Sequence, residues 1–194
     1  MMNIDKHDAL LVVDVQNDFL PGGALGVTGG DLIVPVINRI SALFTTRVFT
    51  RDWHPVDHVS FSRHPQFLDQ SWPSHCVQNT WGAQFHPDLK IDAKDRIIST
   101  GDNPQEENYS SFHGTDLEAW LRRRDIRRIF IAGLATDYYV LTSAMDGLQA
   151  GFEVVVLEDA VAGVDVPPGS AARALQKLRD SGVHILSSGD LLSE

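Results

Sequence analysis

The chain has 194 residues, 43% of them hydrophobic, which is enough for one well-buried domain. Its formal charge of −10 argues against nucleic acid or an anionic membrane as a partner. Cys76 is the only cysteine, so no internal disulfide can form. The N-terminus has no signal-peptide pattern and no apolar run approaches the ~20 residues of a bilayer span, so a soluble cytoplasmic protein is expected.

Ala9–Val13 is a continuous apolar run ending at Asp14 and predicts a first strand. Leu32, Val36, Ile40 and Leu43 recur at helical spacing and predict a helix over Asp31–Phe44. Arg47–Arg51 and Arg96–Ser99 read as the next two strands, and Leu117–Arg124 as a helix. Arg128–Ala132 (strand), Asp137–Ala150 (helix), Glu153–Leu157 (strand), Ser170–Asp180 (helix) and Val183–Leu186 (strand) complete the alternation. Apolar strands separated by helices belong to the α/β class, with a parallel sheet covered on both faces. We expect residues 1–194 to form a single-domain three-layer α/β/α sandwich.

One segment breaks this rhythm. Residues Asp52 to Asp95 hold five of the eight histidines and three of the four tryptophans, without clear periodicity. A connection that long inside a compact domain is usually functional or disordered, and its aromatic content predicts an ordered, site-building loop.

Two local patterns carry chemistry. In extended chain, Asp52 and His54 project to the same side. A further histidine from the loop would complete a two-histidine, one-carboxylate set, which suits Zn, Fe or Mn. On spacing alone, Asp-x-His is a weak signal. The second pattern is Ile131–Val140, an apolar strand passing through Gly133 into a helix that carries Val140, Ala144 and Leu148 on one face. Thr136 and Asp137 suit the start of that helix. Backbone N–H groups at such a turn suit a developing oxyanion.

The stretch Ile131-Ala-Gly-Leu-Ala-Thr-Asp-Tyr-Tyr-Val140 resembles an active-site segment of the nicotinamidase/pyrazinamidase family, the isochorismatase-like cysteine hydrolases. Thr50-Arg-Asp-Trp-His-Pro55, Ser60-Phe61, Trp72-Pro-Ser-His-Cys-Val-Gln78 and Gly82-Ala-Gln-Phe-His86 resemble that family's blocks in order and spacing. The resemblance extends over roughly residues 8 to 187. It implies an isochorismatase-like fold and, for the family, hydrolysis of nicotinamide to nicotinate and ammonia. It places the metal ligands on Asp52, His54 and His86, with Ser60 acting through a metal-bound water, and zinc as the first expectation before iron or manganese. It leaves His58, His64 and His75 with local hydrogen-bonding or surface roles. Phe19, Leu25, Trp72 and Tyr109 fall where the family lines a slot for a flat pyridine ring. The backbone N–H groups of Ala135 and Tyr139 fall on the oxyanion donors, with a cis peptide expected near Ala135–Thr136.

The resemblance departs at the catalytic centre. Family enzymes use Asp, Lys and Cys. Asp14 matches the first. The lysine position, in Thr100-Gly-Asp-Asn-Pro104, holds Thr100, and no lysine occurs between Lys94 and Lys177. The cysteine position holds Tyr139. Cys76 belongs to the Trp-Pro-x-His-Cys-Val block and reads as a packed thiol. Amide hydrolysis through a thioester needs a thiolate, and a phenol titrating near ~10 is a poor replacement at neutral pH.

Three readings follow from these residues, the third being an ordinary nicotinamidase with unusual residues at the catalytic positions. In the first, the protein keeps the metal site and a pyridine pocket but lacks cysteine amidohydrolase activity. In the second, Asp14 acts as general base toward metal-bound water and hydrolyses nicotinamide or a related amide. The expected ligand is a small pyridine or amide. Neither nucleic acid nor membrane is expected as a partner, and a homo-oligomer is compatible with the varied assemblies of the family.

Overall fold

The computed structural model describes residues 2–191. Six strands, β1 (Asp8–Val13), β2 (Thr46–Asp52), β3 (Arg96–Thr100), β4 (Arg128–Leu134), β5 (Glu153–Ala162) and β6 (His184–Leu186), form one sheet in the order β3-β2-β1-β4-β5-β6. Every neighbouring pair is parallel. Four α-helices connect them: α1 (Ile33–Ser41), α2 (Leu117–Arg122), α3 (Leu141–Gln149) and α4 (Ser170–Asp180). The predicted alternation of strands and helices is therefore observed, with β5 running five residues beyond Leu157.

Strand residues alternate between two apolar layers, as the period of two requires. Leu10, Val12, Phe49, Phe130 and Val155 face α1 and pieces of the long loop, including Ala83 and Leu89. Ala9, Leu11, Val48, Ile131 and Val154 face α2, α3 and α4 through Leu117, Leu121, Ala144 and Leu178. Loop chain thus does part of the covering work on the α1 side.

Helix α1 differs from its predicted stripe. It is preceded by a 3₁₀ turn, Gly30–Leu32, which rotates the buried face onto Ile33, Ile37 and Ile40 and leaves Leu32 70% exposed. The helix expected over Asp137–Ala150 begins as a π turn, Thr136–Val140, in which Val140 N–H donates to Ala135 O at 3.1 Å. Asp137 does not cap it. Its carboxylate instead accepts the N–H groups of Val164 and Asp165 at 2.9 Å, tying this turn to the segment after β5.

Residues 53–95 contain no strand or helix among the described residues. Isolated bridges hold the loop in place: Gln16 with Phe85, His54 with Val77, and Phe61 with Trp72. Gln16 reinforces this, donating to Asp52 O at 2.8 Å and Ala83 O at 2.9 Å. Gly133, at φ +113°, is required where β4 pairs with β1 opposite Val13, because a Cβ there would lie 2.0 Å from Val13 O. Among the described residues, no helix is long and apolar enough to cross a membrane.

Candidate functional site

The carboxyl ends of β1, β2, β3 and β4 deliver Asp14, Asp52, Thr100 and Ala135 to one edge of the sheet, where open parallel sheets place their ligands. Asp52 ends β2 with its carboxylate buried. His54 Nε2 lies 3.2 Å from Asp52 Oδ2, and His75 Nε2 lies 3.6 Å from the same oxygen. One donor atom from each of Asp52, His54 and His75 falls within 4.8 Å of the others.

The two imidazoles are oriented from behind. His54 Nδ1 meets Gly101 O at 2.9 Å and His75 Nδ1 meets Pro73 O at 2.8 Å. A carbonyl accepts only from a protonated nitrogen, so each Nδ1 carries a hydrogen and each Nε2 is left toward Asp52. That is the outer-shell arrangement that readies a histidine for a cation. The donor set, its burial and its orientation fit a divalent transition metal.

The geometry groups a different histidine with Asp52 and His54 from the one expected. His75, not His86, joins Asp52 and His54. The loop runs back beside His54, whose N–H donates to Cys76 O at 3.1 Å, so the residue before Cys76 is delivered to the cluster. His86 is held in its own turn, where its Nδ1 accepts the Asp88 N–H at 3.2 Å. Ser60 lies at the side of the cluster. Its hydroxyl pairs with His58 Nδ1 at 2.8 Å, and the His58 ring packs 4.2 Å from that of His54. His58 has the local hydrogen-bonding role expected of it. A cis peptide lies at Leu134–Ala135, near Ala135–Thr136 as expected.

Electrostatics follow from burial and pairing. Burial opposes charge on His54, but the facing Asp52 carboxylate overcomes this and pushes its pKa up to about 9. Burial would likewise raise Asp52, and the two histidines hold it well below the usual carboxylate range. Asp14 is pushed up, first by burial and then by Asp52. Its Oδ1 accepts the Thr50 hydroxyl at 2.6 Å, while Oδ2 has no partner.

Beside the cluster is a cavity lined by Asp14, Phe19, Leu25, Trp72, Tyr109 and Tyr139, among others. All four residues expected to wall a pyridine slot are therefore on its surface. The room is not there. The free volume is about 30 Å³, enough for a water or two, whereas a cavity of roughly 150 Å³ is the size that takes benzene. The Tyr139 ring accounts for this: it lies only 5% exposed, edge-on to Tyr109 with centroids 5.7 Å apart. The expected walls are therefore present around a cavity with little free volume, and Tyr139 is one of the residues that line it.

Neither a thiol nor an ammonium group lines this cavity. Cys76 is fully buried elsewhere in the core, where burial pushes its thiol up. Thr100 pairs with Asp52 across β2–β3, its hydroxyl 3.3 Å from Asp52 Oδ1. Glu107 and Tyr138 also line the cavity and went unremarked in the sequence. Glu107 sits between Pro104 and Tyr109 in a segment without periodicity, so nothing local marks it. Burial raises its pKa, and its Oε2 has no partner.

The Isochorismatase domain family matches residues 8–190. The chain is 40% identical to the nicotinamidase of Acinetobacter baylyi over 205 aligned positions, covering 95% of this chain and 94% of that protein. A structure of the pyrazinamidase of Pyrococcus horikoshii in complex with zinc is 43% identical, with a TM-score of 0.84 over 93% of this chain and 99% of that one. A structure of PnC1 from L. infantum in complex with nicotinate is 37% identical, with a TM-score of 0.88 over 100% of this chain and 99% of that one.

Proposed function

Because the chain belongs to the isochorismatase family and is similar to its nicotinamidases along nearly its whole length, we propose that it is a nicotinamidase-like metal-binding protein without cysteine amidohydrolase activity. The observation that carries this reading is Tyr139, a buried ring that stands at the family's cysteine position and lines the small cavity with Asp14, Asp52 and the aromatic walls. In this reading Asp52, His54 and His75 hold one divalent transition metal, and zinc is supported by the zinc complex of the Pyrococcus horikoshii relative. When bound, such an ion supplies Lewis-acid charge at the cavity edge.

The residues themselves explain the lost chemistry. A thioester route needs a thiolate aimed at a carbonyl carbon and a cation that lowers the thiol pKa. Tyr139 offers a phenol that burial and the carboxylates of Asp52 and Asp14 drive further from ionisation. Thr100 offers no charge. The ring also stands where a substrate ring would have to lie. A relative from L. infantum is seen in complex with nicotinate, and the small cavity between Phe19, Leu25, Trp72 and Tyr109 here leaves little room for such a ring.

Restoring the missing pair tests the reading. Tyr139→Cys combined with Thr100→Lys should release ammonia from nicotinamide well above the blank. Each single change should do little, because nucleophile and cation act as a unit. A double variant that folds, holds metal and binds nicotinamide yet stays inert would count against loss of chemistry in an otherwise intact site.

A further inference from the structure

Three buried oxygens around this cavity lack any hydrogen-bond partner: Asp14 Oδ2, Glu107 Oε2 and the Tyr139 hydroxyl. Unpaired buried polar atoms are uncommon in folded proteins, and three on one small cavity call for a common cause. The Tyr139 hydroxyl is the most telling. It has no partner and belongs to a residue that lines the same cavity as Asp52 and His75, two members of the Asp52–His54–His75 cluster. Its own ring cannot swing away, since Tyr109 stands edge-on against it and the residue lies among the buried apolar side chains that face α3.

We propose that Tyr139 is a fourth ligand of the metal centre, its phenolate oxygen joining Asp52 and the Nε2 atoms of His54 and His75. The charge of a bound ion would offset the burial and carboxylates that otherwise keep the phenol protonated: the O–H bond would break, its proton leave to solvent, and the oxygen's electron pair form a bond to the ion. No electron is transferred. Two anionic oxygens and two neutral imidazoles form a harder, more negative donor set than one carboxylate and two imidazoles. That set favours a trivalent, oxygen-seeking ion such as Fe(III) over Zn(II). The tyrosine that removes the thiol chemistry thereby acquires a use, and the metal preference of this chain departs from that of a three-donor site. This inference rests on the proposed metal centre and on Tyr139 filling the slot.

The chain's three tyrosines, Tyr109, Tyr138 and Tyr139, all line the cavity, so the test must separate them. The purified protein is given one equivalent of Fe(III) as its nitrilotriacetate chelate and its visible spectrum recorded, together with Tyr139→Phe, Tyr138→Phe and Tyr109→Phe. Phenolate bound to ferric iron gives a visible charge-transfer band. The band should appear in wild type, Tyr138→Phe and Tyr109→Phe and be lost in Tyr139→Phe. Zinc affinity of Tyr139→Phe, read by competition with a chromophoric chelator, should fall by about tenfold or more. Bound iron without a band, or a band that survives Tyr139→Phe, would overturn the inference and leave the phenol as a partner of cavity water. Failure of the wild type to take up either metal would sink the metal centre and this inference with it. Ammonia release from nicotinamide is a separate readout that bears on the loss of catalysis and not on the band.

Discussion

Tyr139→Ala should make the protein less stable and at the same time give it a ligand. Truncating a buried aromatic residue costs about 3–5 kcal/mol. Removing a buried phenol that has no hydrogen-bond partner returns about 1–3 kcal/mol of that. The net loss for Tyr139, 5% exposed and unpartnered, is about 2 kcal/mol. For a domain of this size that lowers Tm by about 4–8 °C. The emptied slot keeps Phe19, Leu25, Trp72 and Tyr109 as walls. Nicotinamide, with about nine non-hydrogen atoms at about 0.5 kcal/mol each, should bind with Kd on the order of 1 mM. At about 10 mM it would return about 1.4 kcal/mol. Thermal melts of wild type and variant, with and without about 10 mM nicotinamide, read all of this. The variant should melt lower and recover most of the loss with ligand, while the wild type should not shift. A wild type stabilised as much as the variant would refute the view that Tyr139 occupies the slot.

Metal uptake should depend on pH in a defined direction. In the metal-free protein the Asp52 carboxylate holds His54 protonated up to about 9. The stability this pair contributes is complete below the unfolded histidine pKa of about 6.5 and fades as pH rises through the folded value. A metal needs the neutral ring, so apparent affinity should rise by up to about tenfold per pH unit between about 7 and 9, with at least one proton released. Calorimetry in buffers of different ionisation heat that finds no proton release contradicts this. Away from the site, Arg47 at the start of β2 pairs with Asp95 at 2.9 Å and also with Asp92, and the Asp95 side chain is 1% exposed. Arg47→Met should cost about 3 kcal/mol in urea unfolding, because it leaves that carboxylate without its cation. A loss below about 1 kcal/mol would show that the Asp92 N–H, which donates to Asp95, suffices.

The sheet was legible because its strands are near-continuous apolar runs, and such a run has only one stable setting between two helical layers. Ser170–Asp180 was predicted to the residue, helped by the glycine before it and the glycine after it. The errors fall where the chain departs from regular periods. In α1 a 3₁₀ turn shifted the buried face by one residue, and after β4 a π turn replaced the expected cap. The site divides in the same way. Asp14, Asp52 and His54 sit at or just beyond strand ends, whose position the apolar pattern predicts. The choice between His75 and His86 depends on the path of a loop with no period at all. Only the His54–Val77 bridge decides it, and that bridge has no local signature. Tyr139 was visible as a departure from the family segment, and its ring as longer than a thiol, but how it packs against Tyr109 has no local signature.

On the proposed function, this chain keeps the nicotinamidase architecture without its thiol chemistry. Ammonia release from nicotinamide by the purified, metal-loaded wild-type protein tests it most directly, with a cysteine-bearing nicotinamidase as positive control and the chelated protein alongside. The account predicts a rate indistinguishable from the buffer blank, from protein shown to be folded and metal-bound. Release well above the blank that disappears with chelator would contradict it and assign the hydrolysis to metal-bound water with Asp14 as its base.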